Sequence, residues 1–155
     1  LVYYSTLITA LFDKKSGTQD NRKFLDIIAM ASLFTALVAN WGIILIAYNF
    51  SIDIDLVTKA LFGVLFILIG NYLGQLDINS VMGVRNKWTL SGMGVWKPVH
   101  RFSGYIMFIS GIMLMLSAFV KAANGIAVVV LLLLIDFIVI NIYSYNKYKK
   151  VVKKA

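Results

Sequence analysis

Long apolar runs alternate along this chain with short polar or charged stretches. A helix needs about 20 predominantly apolar residues to cross a hydrocarbon core roughly 30 Å thick. Four runs qualify: residues 25–48, 56–73, 99–120 and 125–145, each followed by turn-forming or charged residues. Residues 1–12 have the same character but would extend only about 18 Å at the helical rise, and read as the end of a fifth helix. The pattern predicts an all-α, polytopic transmembrane helix bundle with four full spans and the end of a fifth. Residues 13–24 read as a loop, residues 25–146 as a four-helix membrane domain with a long connection at 74–98, and residues 147–155 as a basic tail.

Composition agrees. The chain is 60% hydrophobic and 14% charged, with a mean hydropathy of +0.82, whereas soluble domains carry about 25% charged residues. Cysteine and glutamate are absent and there is one histidine, so zinc, haem and di-iron sites lack their usual ligands. We expect no metal, no cofactor and no enzymatic activity. A net charge of +8 does not indicate nucleic acid here, because the cations flank apolar runs instead of forming a solvated basic face. They indicate orientation. Lys14, Lys15, Arg22 and Lys23, then Arg85, Lys87, Lys97 and Arg101, then Lys147, Lys149, Lys150, Lys153 and Lys154 all fall on one side; only Lys59 and Lys121 fall on the other, with Asp53 and Asp55. Thirteen cations against two place the 74–98 loop and the carboxyl tail in the cytoplasm.

Within the spans, small residues recur at helical spacing: Ser32, Ala36 and Asn40; Gly70 and Gly74; Ser103/Gly104 and again Ser110/Gly111. Such residues let helix backbones approach closely in lipid, and a packing seam is the expectation. Asp136 lies near the middle of "LLLLIDFIVI", where an ionised carboxylate costs about 2.5–3.5 kcal/mol on insertion scales. It needs a proton or a partner, and Asn40 and Ser110 lie at similar depth. A helix-joining hydrogen bond is the simpler reading. A small proton-coupled transporter or exporter using Asp136 is the alternative.

The loop concentrates the chemical vocabulary of the chain. "MGVRNKWTLSGMGVWKPVHR", residues 82–101, holds the only Pro, the only His and two of the three Trp. Val81, Met82, Val84, Trp88, Leu90, Met93, Val95 and Trp96 are too apolar for a solvated linker, yet Arg85 and Lys87 are interleaved among them. This predicts a segment folded against the membrane surface, with Trp at headgroup level. Pro98 fits the first turn of the next helix, which puts His100 and Arg101 in that turn, at the interface. There a His can titrate, accept a hydrogen bond or anchor the helix. A lipid-modifying role for His100 and Arg101 is weak, since only Asp77 lies near as a second acid or base.

The order of residue types from 70 to 104 resembles the signature of the SdpI family of bacterial membrane proteins. The matching positions are Gly70, Asn71, Tyr72 and Leu73; Asn79; Gly83, Val84 and Arg85; Trp88, Thr89 and Leu90; Val95 and Trp96; and His100, Arg101 and Gly104. Two departures stand out: Gly74 where the family usually has Pro, and Gly92, Met93 and Gly94 where it usually has polar or acidic residues. The resemblance implies a multipass protein of the bacterial cell membrane that protects its producer against a secreted peptide toxin. It also implies a partner-binding surface drawn from Asn71, Asn79, Gly83, Arg85, Trp88, Thr89, Leu90, Trp96, His100 and Arg101. In one type of member the cytoplasmic partner is a winged-helix autorepressor; direct nucleic-acid binding is not expected.

Overall fold

The computed structural model describes residues 19–79, 81–120 and 124–153. Four α-helices follow in order: α1 (Gln19–Ala47), α2 (Ile54–Leu73), α3 (Met93–Ser117) and α4 (Gly125–Val152), with one turn of 3₁₀ helix at Thr89–Ser91 between α2 and α3. There is no strand among the described residues. All four helices are long and apolar enough to cross a membrane. The expected fifth helix end at residues 1–12 lies outside the described residues, as do residues 13–18.

Helix boundaries follow local chemistry. Asp53 caps α2 by accepting from the Leu56 N–H at 3.0 Å, and Asn124 caps α4 through the Ala127 N–H at 3.2 Å, satisfying donors that have no partner inside the helix. The α1 chain reverses at Asn49, whose φ of 61° is tolerated by asparagine. The Phe50 N–H reaches back to the Leu45 carbonyl and the Asn49 N–H to Ile46, the paired bonds of a Schellman ending.

The bundle is built on α2 and α3, which cross in backbone contact. A Cβ at Gly104 would lie 2.6 Å from the Gly70 carbonyl oxygen, and one at Gly111 would lie 2.7 Å from the Gly63 carbonyl oxygen. Two glycines seven residues apart on each antiparallel helix therefore set the interaxial distance. Gly70, Gly104 and Gly111 act as the expected seam; Gly63 completes it. Helix α4 packs against the same pair, with Phe66, Leu114, Val129 and Leu132 forming one core cluster. Among the helices, α1 brings its backbone close only to α2, and its buried residues, Asn21, Phe24 and Ala29, all lie near its start.

Three expectations need correction. The stripe Ser32, Ala36, Asn40 is not a closed seam: Ala36 and Asn40 are exposed, and α1 diverges from α2 across a crevice of about 400 Å³. Asn40 also cannot serve Asp136, because α1 makes no contact with α4. Pro98 does not open its helix. Helix α3 begins at Met93, because the preceding turn is needed to bury Val95 and Trp96, which are 1% and 0% exposed. Pro98 then costs one hydrogen bond, to the Gly94 carbonyl, in the second turn.

Candidate functional site

The connection from Gly74 to Gly92 folds as a cap on the ends of α2, α3 and α4 and the start of α1. Trp96 is its apolar centre, packed with Phe24, Leu73, Leu76 and Met82. The indole N–H donates to the Leu76 carbonyl at 2.9 Å, so burial leaves no polar atom of Trp96 unsatisfied. Burying this ring is worth about 3–5 kcal/mol by the usual cost of its truncation.

Two asparagines shape the backbone around that centre. Asn79 accepts from the Val81 and Met82 N–H groups at 2.9 and 2.5 Å and donates to the Asp77 carbonyl. Asn86 accepts from Trp88 and Thr89 N–H at 3.1 and 2.9 Å. Both are side chains standing in for turn carbonyls. Thr89 closes the second turn: its hydroxyl accepts from the Asn86 N–H and donates to the Val84 carbonyl at 2.8 Å. Asn86 also ties the loop to α4, donating to Asn141 at 3.3 Å and accepting from Ser144 at 3.2 Å. At the other edge, buried Asn21 of α1 accepts from the Asp77 N–H. The Asp77 carboxylate pairs with Lys97 at 2.9 Å.

His100 is the link between cap and helix. It is fully buried and stacks on Trp96 with ring centroids 4.0 Å apart. Nε2 accepts from the Val84 N–H at 3.0 Å and Nδ1 faces the Trp96 carbonyl at 2.9 Å. A carbonyl only accepts and an N–H only donates, so the ring is held as the neutral tautomer with its proton on Nδ1. Gly83 lies against the Nε2 edge of this ring with φ of 87°, and a Cβ there would overlap Nε2. His100 is thus a buried acceptor eight residues into α3, not an interfacial anchor in its first turn. Met82, Val95 and Trp96 likewise pack into protein instead of lying on a membrane surface.

The candidate residues therefore separate into three groups. Asn79, Gly83, Thr89, Trp96 and His100 are brought together as the frame of the cap. Arg85 and Leu90 are exposed on its outside, and Trp88 is half-buried against Tyr145, 5.2 Å between centroids. Asn71 and Arg101 lie apart from both, exposed on the outer faces of α2 and α3. Sequence reasoning missed Asn21, Asn86, Asn141 and Ser144. The spacing of Asn86 and Thr89 is a turn signature in its own right; the pairing with α4 has no local signal.

Inside the bundle, Ser110 donates to Asp136 Oδ1 at 2.9 Å, one of the two partners expected for it. Asp136 Oδ2 is buried and has no hydrogen-bond partner among the described residues. At the end opposite the cap, Lys59 is buried and donates to the Val120 carbonyl at 2.9 Å. One turn earlier on α2, Asp55 accepts from the Gly125 N–H at 3.0 Å. Each charge faces the helix terminus of opposite partial charge, which locks the α3–α4 turn to α2. No cluster of metal-ligating residues occurs among the described residues.

Residues 75–144 match the SdpI/YfhL protein family. Over 150 residues, 97% of this chain, the sequence is 26% identical to Immunity protein SdpI of Bacillus subtilis (strain 168), 71% of which is covered. No solved structure matches the chain. The family match begins where α2 ends and runs through the cap and α3 far into α4, so the cap and the two helices that carry it are the part of this multipass membrane protein that is similar to the SdpI/YfhL family.

Proposed function

We propose that this chain is a membrane immunity protein, protecting the cell that makes it against a secreted peptide toxin. The observation that carries the reading is the likeness to Immunity protein SdpI along 97% of the chain. The distribution of Lys and Arg supports a cytoplasmic position for the cap. Its outer surface then offers Arg85, Trp88 and Leu90 to a cytoplasmic partner, for which a winged-helix autorepressor is our choice. Trp and Arg commonly dominate interface energetics, and a cap held rigidly from beneath presents them with little ordering cost on binding.

The test is expression in toxin-sensitive cells, with the parent chain and the Arg85→Ala and Trp88→Ala variants at matched membrane levels. Survival with the parent chain is expected, and loss of repressor capture with either variant. Undiminished killing in the presence of the parent chain would remove the immunity reading for that toxin. Full repressor capture by both variants would remove the role of the outer cap surface.

A further inference from the structure

Arg101 is neither in the frame of the cap nor on its outer face. It lies exposed on α3, its stem crossing Gly74, where a Cβ would be only 3.4 Å from Arg101 Cγ. No carboxylate pairs with it among the described residues, the neighbouring Asp77 being held by Lys97. On one side of Arg101 and Tyr105 is a cleft of about 430 Å³ that also includes Asn71, Gln75 and Phe108. On the other side is a second cleft of about 340 Å³, which shares Arg101 and Tyr105 and adds Lys97, Phe102 and Tyr143.

We propose that these paired clefts bind one anionic phospholipid, its phosphate on Arg101 and its two acyl chains descending on either side of Tyr105. Both clefts open on the outer surface of membrane-crossing helices, so the bilayer is what fills them. The first cleft is graded in polarity along α3: Asn71, Gln75 and Arg101 lie at its cap end, while Phe108 lies seven residues beyond Arg101, about 10 Å deeper at the helical rise. The second runs from Lys97 and Arg101 to Phe102, Tyr105 and Tyr143. An amphiphile inserted with its headgroup at the cap end matches that gradient. Two apolar grooves diverging from one unpaired guanidinium match a single phosphate carrying two chains, and Arg suits a phosphate because its donors form a planar fork. With Lys97 and Asp77 neutralising each other, the net positive charge at the site is that of Arg101, which favours a headgroup with net negative charge over a zwitterion.

The experiment is native mass spectrometry of the full chain in neutral detergent, titrated separately with dioleoylphosphatidylglycerol, dioleoylphosphatidylcholine and inorganic phosphate. The parent chain should retain the anionic lipid about fivefold more strongly than the zwitterionic one, the effect of one cation at a membrane surface. Arg101→Gln should abolish that preference. Lys87→Gln, which removes the same charge from the outside of the cap, should preserve it. Gly74→Leu, which fills the first cleft beside the Arg101 stem while removing no charge, should weaken retention of both lipids. Unfolding midpoints in detergent confirm that each variant is folded. Equal retention of the two lipids by the parent chain overturns the proposal. So does equal damage from Lys87→Gln and Arg101→Gln, displacement of lipid by free phosphate, unchanged lipid retention in Gly74→Leu, or a dimer that displaces lipid from the clefts. None of these readouts involves toxin, so the result stands apart from the immunity reading.

Discussion

Replacing Gly83 with alanine tests whether the cap is held by the Gly83–His100 contact. At φ of 87° an L-residue pays about 1–2 kcal/mol of backbone strain. The new methyl also lies 2.9 Å from His100 Cδ2, and His100 has no room to yield because it stacks on buried Trp96. Displacing the ring breaks the bond from the half-buried Val84 N–H to the buried Nε2 acceptor, at a further cost of about 1–3 kcal/mol. The total, about 2–5 kcal/mol, is a large share of the stability of a small domain. The assay is equilibrium unfolding in mixed micelles of increasing denaturing detergent, followed by tryptophan fluorescence. Gly92→Ala is the control: it has φ of 155° but nothing within 4 Å of the new methyl, so it carries backbone strain alone. The sharper measurement is a double-mutant cycle with His100→Ala. Removing the ring should reduce the cost of Gly83→Ala by about 1–3 kcal/mol. Additive costs would refute the contact as the source of the effect.

Gly104→Ala places a methyl 2.6 Å from the Gly70 carbonyl oxygen, a backbone atom that cannot rotate away; separating the helices should cost about 1–3 kcal/mol in the same unfolding assay, against no measurable cost for Gly42→Ala, which has open space around it. Asp136→Asn keeps a hydrogen-bond acceptor for Ser110 and should leave toxin protection and folding unchanged; loss of protection in a folded variant would instead favour the proton-coupled reading. The chain has no native cysteine, so single-cysteine variants report orientation cleanly: Lys87→Cys in intact cells should resist a membrane-impermeant maleimide and Ser51→Cys should react, and the reverse pattern would invert the topology.

The spans were legible because bilayer thickness imposes a length that composition reveals directly, and the seven-residue glycine spacing on α3 revealed half of its contact with α2. On α2 the pattern marks Gly70 but pairs it with Gly74; Gly63, its true partner in the seam, stands in a run of Leu, Val and Phe with no local signal. Pro98 misled because proline is favoured at a helix start; tertiary burial of Val95 and Trp96 outweighed that local preference and moved the start to Met93. Asn40 was matched to Asp136 by depth alone. Depth does not specify which helices are neighbours, and α1 is held to the bundle only along its first turns and along α2.

The cap explains why so many distinctive residues crowd one loop. In the spans, many apolar side chains face lipid and tolerate exchange, and small residues, one apolar cluster, the Asp136–Ser110 pair and the Lys59 and Asp55 contacts fix the arrangement. Outside the hydrocarbon region, a long connection must satisfy its own backbone without helix or sheet. Here Asn79, Asn86 and Thr89 supply the missing carbonyl and hydroxyl partners, His100 takes the Val84 N–H, and Trp96 gives the whole a buried centre. Residue types that look like recognition chemistry are therefore mostly architecture. Loss of function on changing them would report collapse of the cap, whereas Arg85 and Leu90, exposed and free of such duties, and Trp88, packed only along one edge, are where a loss of function at unchanged stability would identify a contact with a partner.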